Sequence, residues 1–163
     1  MEYIHYTDSP LGRIMISGEN DFLTGLWFEG QKYFAKTLYK DAEEKHLPVF
    51  AETERWLEIY FEGKDPGFFP KLAPKGTAFQ KEIWDILLTI PYGKTMTYGG
   101  IASIIAERRG TKRFSAQAVG GAVGHNPISL IIPCHRVVGA DGSLTGYAGG
   151  LDRKESLLKL ERY

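Results

Sequence analysis

The chain has 163 residues, 43% hydrophobic and 25% charged, with 20 basic and 20 acidic side chains. That composition is ordinary for a globular protein and excludes disordered, collagen-like and coiled-coil chains; no apolar run nears the roughly 20 residues of a membrane span. The zero net charge hides an asymmetry, net −4 over residues 1–75 and net +4 over residues 76–163, so a polyanion would be met by the second half.

The opening MEYIHYTDSPL has no basic stretch followed by an apolar one. No signal peptide is expected, and a reducing, cytoplasmic setting is the default. Residues 12–17 and 22–28 read as two strands joined by the turn residues Gly18-Glu19-Asn20-Asp21, a hairpin. Residues 49–62 read as a helix, with Phe50, Trp56, Leu57, Tyr60 and Phe61 near helical spacing. Gly63-Lys64-Asp65-Pro66-Gly67 ends it, and the Pro-rich stretch to Gly76 is the candidate linker. The predicted organisation is α+β: an N-terminal α/β domain with antiparallel strands over 1–75, then a mostly helical domain over 76–163.

In the second half Thr77 can cap a helix over 78–90, whose Phe79, Ile83, Ile86, Leu87 and Ile90 share one face. Thr97 begins a second helix, about 98–107. A basic loop follows, with Arg108, Arg109, Lys112 and Arg113, and Ser115 opens a third helix over 116–124. Two helices joined by a short loop fit helix-turn-helix geometry, or an ordinary helical hairpin. The third helix carries Gln117, Gly120, Gly121 and Gly124 on one stripe. Each helical glycine costs about 1 kcal/mol against alanine, so the stripe needs a reason. Close packing of another element is the first account of it; entry into a minor groove only about 6 Å wide is the second. Asn126-Pro127 stops the helix. Residues 129–132 read as a short buried strand, 146–150 as a flexible loop and 151–161 as a last helix.

Cys134 is the only cysteine, so no intrachain disulfide is possible, and the four histidines show no zinc-ligand spacing. A thiol with a pKa of about 8.5 is a poor nucleophile near neutrality, and an imidazole can take its proton. His135 is adjacent in sequence. In a strand the two side chains would point to opposite faces, so contact needs a turn, which Pro133 favours, or a bridging water. A lone free cysteine is also often simply a buried thiol.

The run Asn126-Pro127-Ile128-Ser129-Leu130-Ile131-Ile132-Pro133-Cys134-His135-Arg136-Val137-Val138 resembles the active-site segment of the O6-alkylguanine-DNA alkyltransferases. The likeness extends over about 76–161, through Gly76-Thr77-Ala78-Phe79-Gln80, Ile90 to Tyr98, Ala118-Val119-Gly120-Gly121-Ala122 and Gly146 to Leu151. The resemblance implies a winged-helix-like helix-turn-helix domain and a DNA-repair protein that acts once. Cys134 would take the alkyl group from O6 of a flipped guanine, O6-methylguanine foremost and O4-methylthymine as a second candidate. His135 would act on it through a water, Glu161 would orient His135, and Asn126 would hold the turn. Tyr98 would donate to the guanine ring. Backbone N–H groups near Tyr147 and Ala148 would support the oxygen, with Val123, Val137 and Tyr147 walling the pocket.

Double-stranded DNA, approached from the minor groove, is the implied partner of a monomeric protein. Thr97, Ala116, Gln117, Ala118, Gly120, Gly121 and Arg136 are the implied contacts, with the basic loop and Arg136 suited to phosphates or to local ion pairs. No cofactor, metal or membrane is implied, and the zinc of some relatives is not expected because its cysteines are missing. Two positions depart from the family pattern: Gln117 stands where an arginine commonly enters the base stack, and Ala148 where a hydroxyl residue commonly follows the loop tyrosine. The competing readings are a lesion-binding relative without transfer, which would lack the cysteine, a thiol hydrolase, and a plain DNA-binding module.

Overall fold

The structure, a computed structural model, describes residues 1–162. Strands β1 (Tyr3–Thr7), β2 (Ile14–Glu19), β3 (Phe22–Phe28) and β4 (Glu43–Glu44) form one sheet in the order β3-β2-β1-β4. The β2–β3 hairpin is antiparallel, as its turn residues predict, with an irregularity at Ser17/Gly18. Strand β1, which has no apolar alternation, pairs with β2, and β4 runs parallel to β1. Neither β1 nor β4 is among the predicted strands, because half-buried pairing leaves little periodic signal.

Helix α1 (Pro48–Phe61) starts with proline in its first turn and packs Val49, Phe50, Trp56, Leu57 and Tyr60 inward against β2 and β3. Helix α2 (Ala78–Leu87) opens with a full capping box between Thr77 and Gln80. It ends three residues before the predicted stop, where bonds from Thr89 and Ile90 to carbonyls three residues back tighten the chain ahead of Pro91. A two-residue pair, β5 (Met96–Thr97) with β6 (Val137–Val138), precedes α3 (Tyr98–Arg109). Thr97 caps α3, and Gly110, at φ +67°, closes it with a left-handed residue. Ser115 caps α4 (Ala116–Gly124), and Trp84 of α2 donates to Ala122 O at 2.9 Å, fixing that helix. Helix α5 (Leu151–Arg162) finishes the described chain; residue 163 of the predicted second region lies outside it.

Residues 129–132 are a turn rather than the predicted strand: Leu130 sits at φ +69°, and Ile132 N donates to Ile128 O. A short buried apolar run looks the same to a periodicity argument in either form. One apolar cluster joins both halves, from Ile14 and Phe28 through Ile83 and Ile105 to Leu157. The free edge of β3 is covered by the second half: Leu26 N donates to Pro127 O, and Ser129 N to Leu26 O. That pairing leaves no bare strand edge there and anchors the turn that carries Cys134.

Candidate active site

Cys134 opens a single 3-10 turn, Cys134–Arg136. Consecutive residues of a strand diverge, whereas this turn lets His135 and Arg136 both reach Glu161 from α5. Asn126 holds the preceding loop closed, donating to Ile132 O at 2.8 Å and to Ile128 O at 3.3 Å while accepting from Ile128 N.

The Glu161 carboxylate is buried and takes five donors. Oε2 accepts from His135 Nε2 (2.5 Å), the Tyr60 hydroxyl (2.6 Å) and Arg136 Nη2 (3.2 Å); Oε1 accepts from Arg136 Nε (2.8 Å) and Gly93 N (3.0 Å). Burial alone would raise its pKa, but the His135 and Arg136 donors overcome it and hold the group at about 2. Burial pushes His135 the other way, below its ordinary value, against the pull of Glu161. The pair is thus a carboxylate and a neutral ring that gives it Nε2–H. The other nitrogen, Nδ1, is buried, bare of a proton and without a partner among the described residues. It is a free nitrogen in the same turn as the thiol.

Cys134 is buried, and burial pushes its thiol up; a hydrogen bond from Asn126 and the Lys154 ammonium act in the opposite sense. Lys154 is fully buried, with Nζ donating to Val137 O (2.5 Å) and Thr145 O (2.8 Å). Burial lowers its pKa to about 8, so it stays mostly charged at neutral pH. Tyr98 donates to Thr145 O at 3.1 Å, and burial keeps its hydroxyl protonated. Val123 and Val137 are buried in the same cluster as Cys134 and Tyr147. The N–H groups of Tyr147 and Ala148 have no acceptor among the described residues.

Beside these residues lies a hollow of about 290 Å³, between the glycine stripe of α4 (Gly120, Gly121, Gly124) and Gly146, Tyr147 and Ala148. Lys32 and Tyr33 of the first half close its rim. Lys32 N donates to Ala148 O at 2.9 Å, and Tyr33 stacks on His125 at 4.1 Å.

The packing account of the stripe is overturned. A Cβ on Gly121 or Gly124 would meet nothing within 4 Å, and one on Gly120 only the Tyr98 ring at 3.8 Å. Ala116, Gln117 and Ala118 are exposed on the same helix, so the face is open. Arg136, expected at the DNA surface, is buried instead, paired with Glu161 and donating to Ile90 O, because an adjacent buried carboxylate outcompetes solvent for it. Arg108 and Arg109 belong to α3 and pair with Glu82 of α2 at 3.1 and 2.7 Å; Lys112 and Arg113 are exposed and make no ion pair among the described residues. Thr97 spends its hydroxyl on the cap of α3.

Tyr60, Lys154 and the Lys32–Tyr33 rim escaped the sequence reading. Lys154 had a legible signal, since positions 154, 157, 158 and 161 share one helix face with two buried leucines and Glu161. Tyr60 had none, as an aromatic on the apolar face of α1 reads as core.

Fold and site together define a helix-turn-helix protein with a buried cysteine and a histidine in one turn and an exposed helix face. Two family models match the chain: the 6-O-methylguanine DNA methyltransferase ribonuclease-like domain over residues 3–72 and the DNA binding domain of the same family over residues 78–163. A methylated-DNA–protein-cysteine methyltransferase of Methanosarcina acetivorans is 46% identical over 160 residues, spanning 98% of this chain and 97% of that one. The Mycobacterium tuberculosis OGT in complex with DNA superposes with a TM-score of 0.83 at 41% identity, over 98% of this chain and 92% of that one. The O6-methylguanine methyltransferase structure from the same organism gives 0.82 at 41% identity, over 99% and 93%. The chain belongs to the 6-O-methylguanine DNA methyltransferase family.

Proposed function

We propose that this chain repairs DNA by moving the alkyl group of a flipped O6-alkylguanine, O6-methylguanine foremost, onto Cys134. His135 Nδ1 receives the thiol proton, directly or through a water. The sulfur attacks the alkyl carbon, forming the S–C bond as the C–O6 bond breaks. The departing guanine is stabilised by Tyr98 donating to its ring and by the N–H groups of Tyr147 and Ala148, and it recovers the proton from His135. Tyr98 exchanges its bond to Thr145 O for the base. The product thioether has no leaving route, so each molecule acts once.

The observation that carries this reading is the free Nδ1 of a neutral histidine, locked by Glu161 in the turn that bears the only cysteine. The open α4 face, with Gln117, Gly120 and Gly121, is the surface for the minor groove, and Lys112 and Arg113 reach phosphates. Residues 1–75 and 76–163 act as two units sharing one core. A reducing, cytoplasmic setting suits the lone thiol; no helix among the described residues is long and apolar enough to cross a membrane.

The test is the intact mass of the protein after mixing with a duplex carrying O6-methylguanine. A gain of one methyl on Cys134, saturating at one per molecule and absent in Cys134→Ser, is expected. Turnover beyond one per molecule, or transfer by Cys134→Ser, overturns the proposal.

A further inference from the structure

We propose that Tyr60 is a positioning residue for the transfer: its hydroxyl, brought in by helix α1 of the first half, holds Glu161 against His135 and tempers that carboxylate's pull on the ring proton. The inference rests on the reading of Cys134 as alkyl acceptor and His135 as its base.

Tyr60 is fully buried, and its ring is fixed on several sides, stacked on Trp56 at 5.1 Å and edge-on to Phe61 and Tyr92. Its hydroxyl ends 2.6 Å from Glu161 Oε2, the oxygen that also takes His135 Nε2–H, and 3.4 Å from that nitrogen. The groups that face His135 are Tyr60 from α1, Glu161 and Lys154 from α5, Arg136 and Cys134 from its own turn, and Tyr147 from the loop. Of these only Tyr60 comes from the first half, and it is the one hydroxyl donor on Oε2.

A donor on Oε2 draws charge off that oxygen and weakens its hold on the histidine proton. Without it Glu161 becomes the stronger acceptor, and the protonated ring is stabilised. The base would then be occupied by a proton up to a higher pH. The hydroxyl also leaves Oε2 one orientation in which all three donors are satisfied. The first half therefore completes the site as well as packing against it.

The experiment uses the whole chain and measures single-turnover methyl transfer from a duplex carrying O6-methylguanine, across pH, together with DNA affinity and the thermal midpoint. Tyr60→Phe removes the hydroxyl alone. Its acid limb is expected to move up by about one pH unit, costing about tenfold at pH values below that limb and recovering toward the alkaline side, with DNA affinity kept. Site-specific 3-fluorotyrosine at position 60, which keeps shape and hydroxyl but donates more strongly, is expected to move the limb down. Profiles that superpose on the wild type overturn the inference. A rate loss equal at every pH, alongside a lower thermal midpoint, overturns it too, since that is what packing alone would produce. A wild-type chain that takes up no methyl group overturns the reading of Cys134 and this inference with it; wild-type transfer with unmoved variant profiles overturns this inference alone.

Discussion

Lys154 is a cation placed where cations are expensive. Its burial is offset by two backbone carbonyls, Val137 O and Thr145 O, and its charge favours a thiolate at Cys134. Lys154→Met keeps the volume and removes the charge. Transfer at neutral pH is expected to fall by about tenfold, the effect of one pKa unit on the thiolate fraction, and iodoacetamide labelling of the single cysteine should slow in parallel. Unchanged labelling would mean that Lys154 serves only to tie Thr145 to β6. Glu161→Gln acts on the other side of the site. It leaves Arg136 buried without its carboxylate and frees the His135 tautomer, so both stability and transfer are expected to drop, by about 3 kcal/mol or more in a denaturant titration.

At the scale of elements, α4 is a helix whose outer face is left bare. Gly121 has open space where a Cβ would stand, so Gly121→Ala is expected to stabilise the fold by about 1 kcal/mol in thermal melts. The same substitution should weaken binding to duplex DNA if that face enters the minor groove; a stabler protein with unchanged DNA affinity would place the groove contact elsewhere. Gln117 stands exposed at the start of this face. Gln117→Arg is expected to raise duplex affinity and speed duplex repair, because a flat cation fills the gap left by a flipped base better than a neutral amide does. Reaction with the free base O6-methylguanine, which needs no flipping, should not change. The connection to α4 sorts its charges by pairing. Replacing Lys112 and Arg113 together by alanine should shallow the salt dependence of DNA binding by about 0.9 per lost phosphate contact. Replacing Arg108 and Arg109, already held by Glu82, should change it little.

Across the whole molecule, the two halves meet at the Glu161 ion network as well as in the core, through Tyr60 on Glu161 and β3 on residues 127–129. Acid should therefore unfold both halves in one transition. Glu161, at about 2 in the fold against 4.5 unfolded, contributes stability that is complete above pH 4.5 and is lost as pH falls through 2. His135 is held below 6.5, so below that pH the unfolded chain binds a proton that the folded chain refuses, and stability falls further. Both effects have the same sign: denaturation midpoints are expected to decline steadily from about pH 6.5 downward. Two separate acid transitions, followed by the tryptophans of α1 (Trp56) and α2 (Trp84), would show that the halves are energetically independent.

Much of this protein was legible locally. Thr77, Thr97 and Ser115 announced three helix starts, because a capping side chain acts on backbone within three residues of itself. The Pro-Cys-His-Arg run, with Asn126 before it, marked the candidate site for the same reason: one turn carries the proposed nucleophile and the proposed base together. What tertiary structure alone decided were the partners of groups whose options lie far apart in the chain. Arg136 could have faced phosphate, and only the arrival of α5 turned it onto Glu161. The glycine stripe could have been a packing seam, and only the lack of an element packed close against it among the described residues leaves it open. Tyr60 reads as one more core aromatic until its hydroxyl is found 101 residues away, on Glu161. Helix caps and turns are set by short-range hydrogen bonds that a sequence displays; the company of a buried charge is set by which distant element reaches it first, and no periodicity records that.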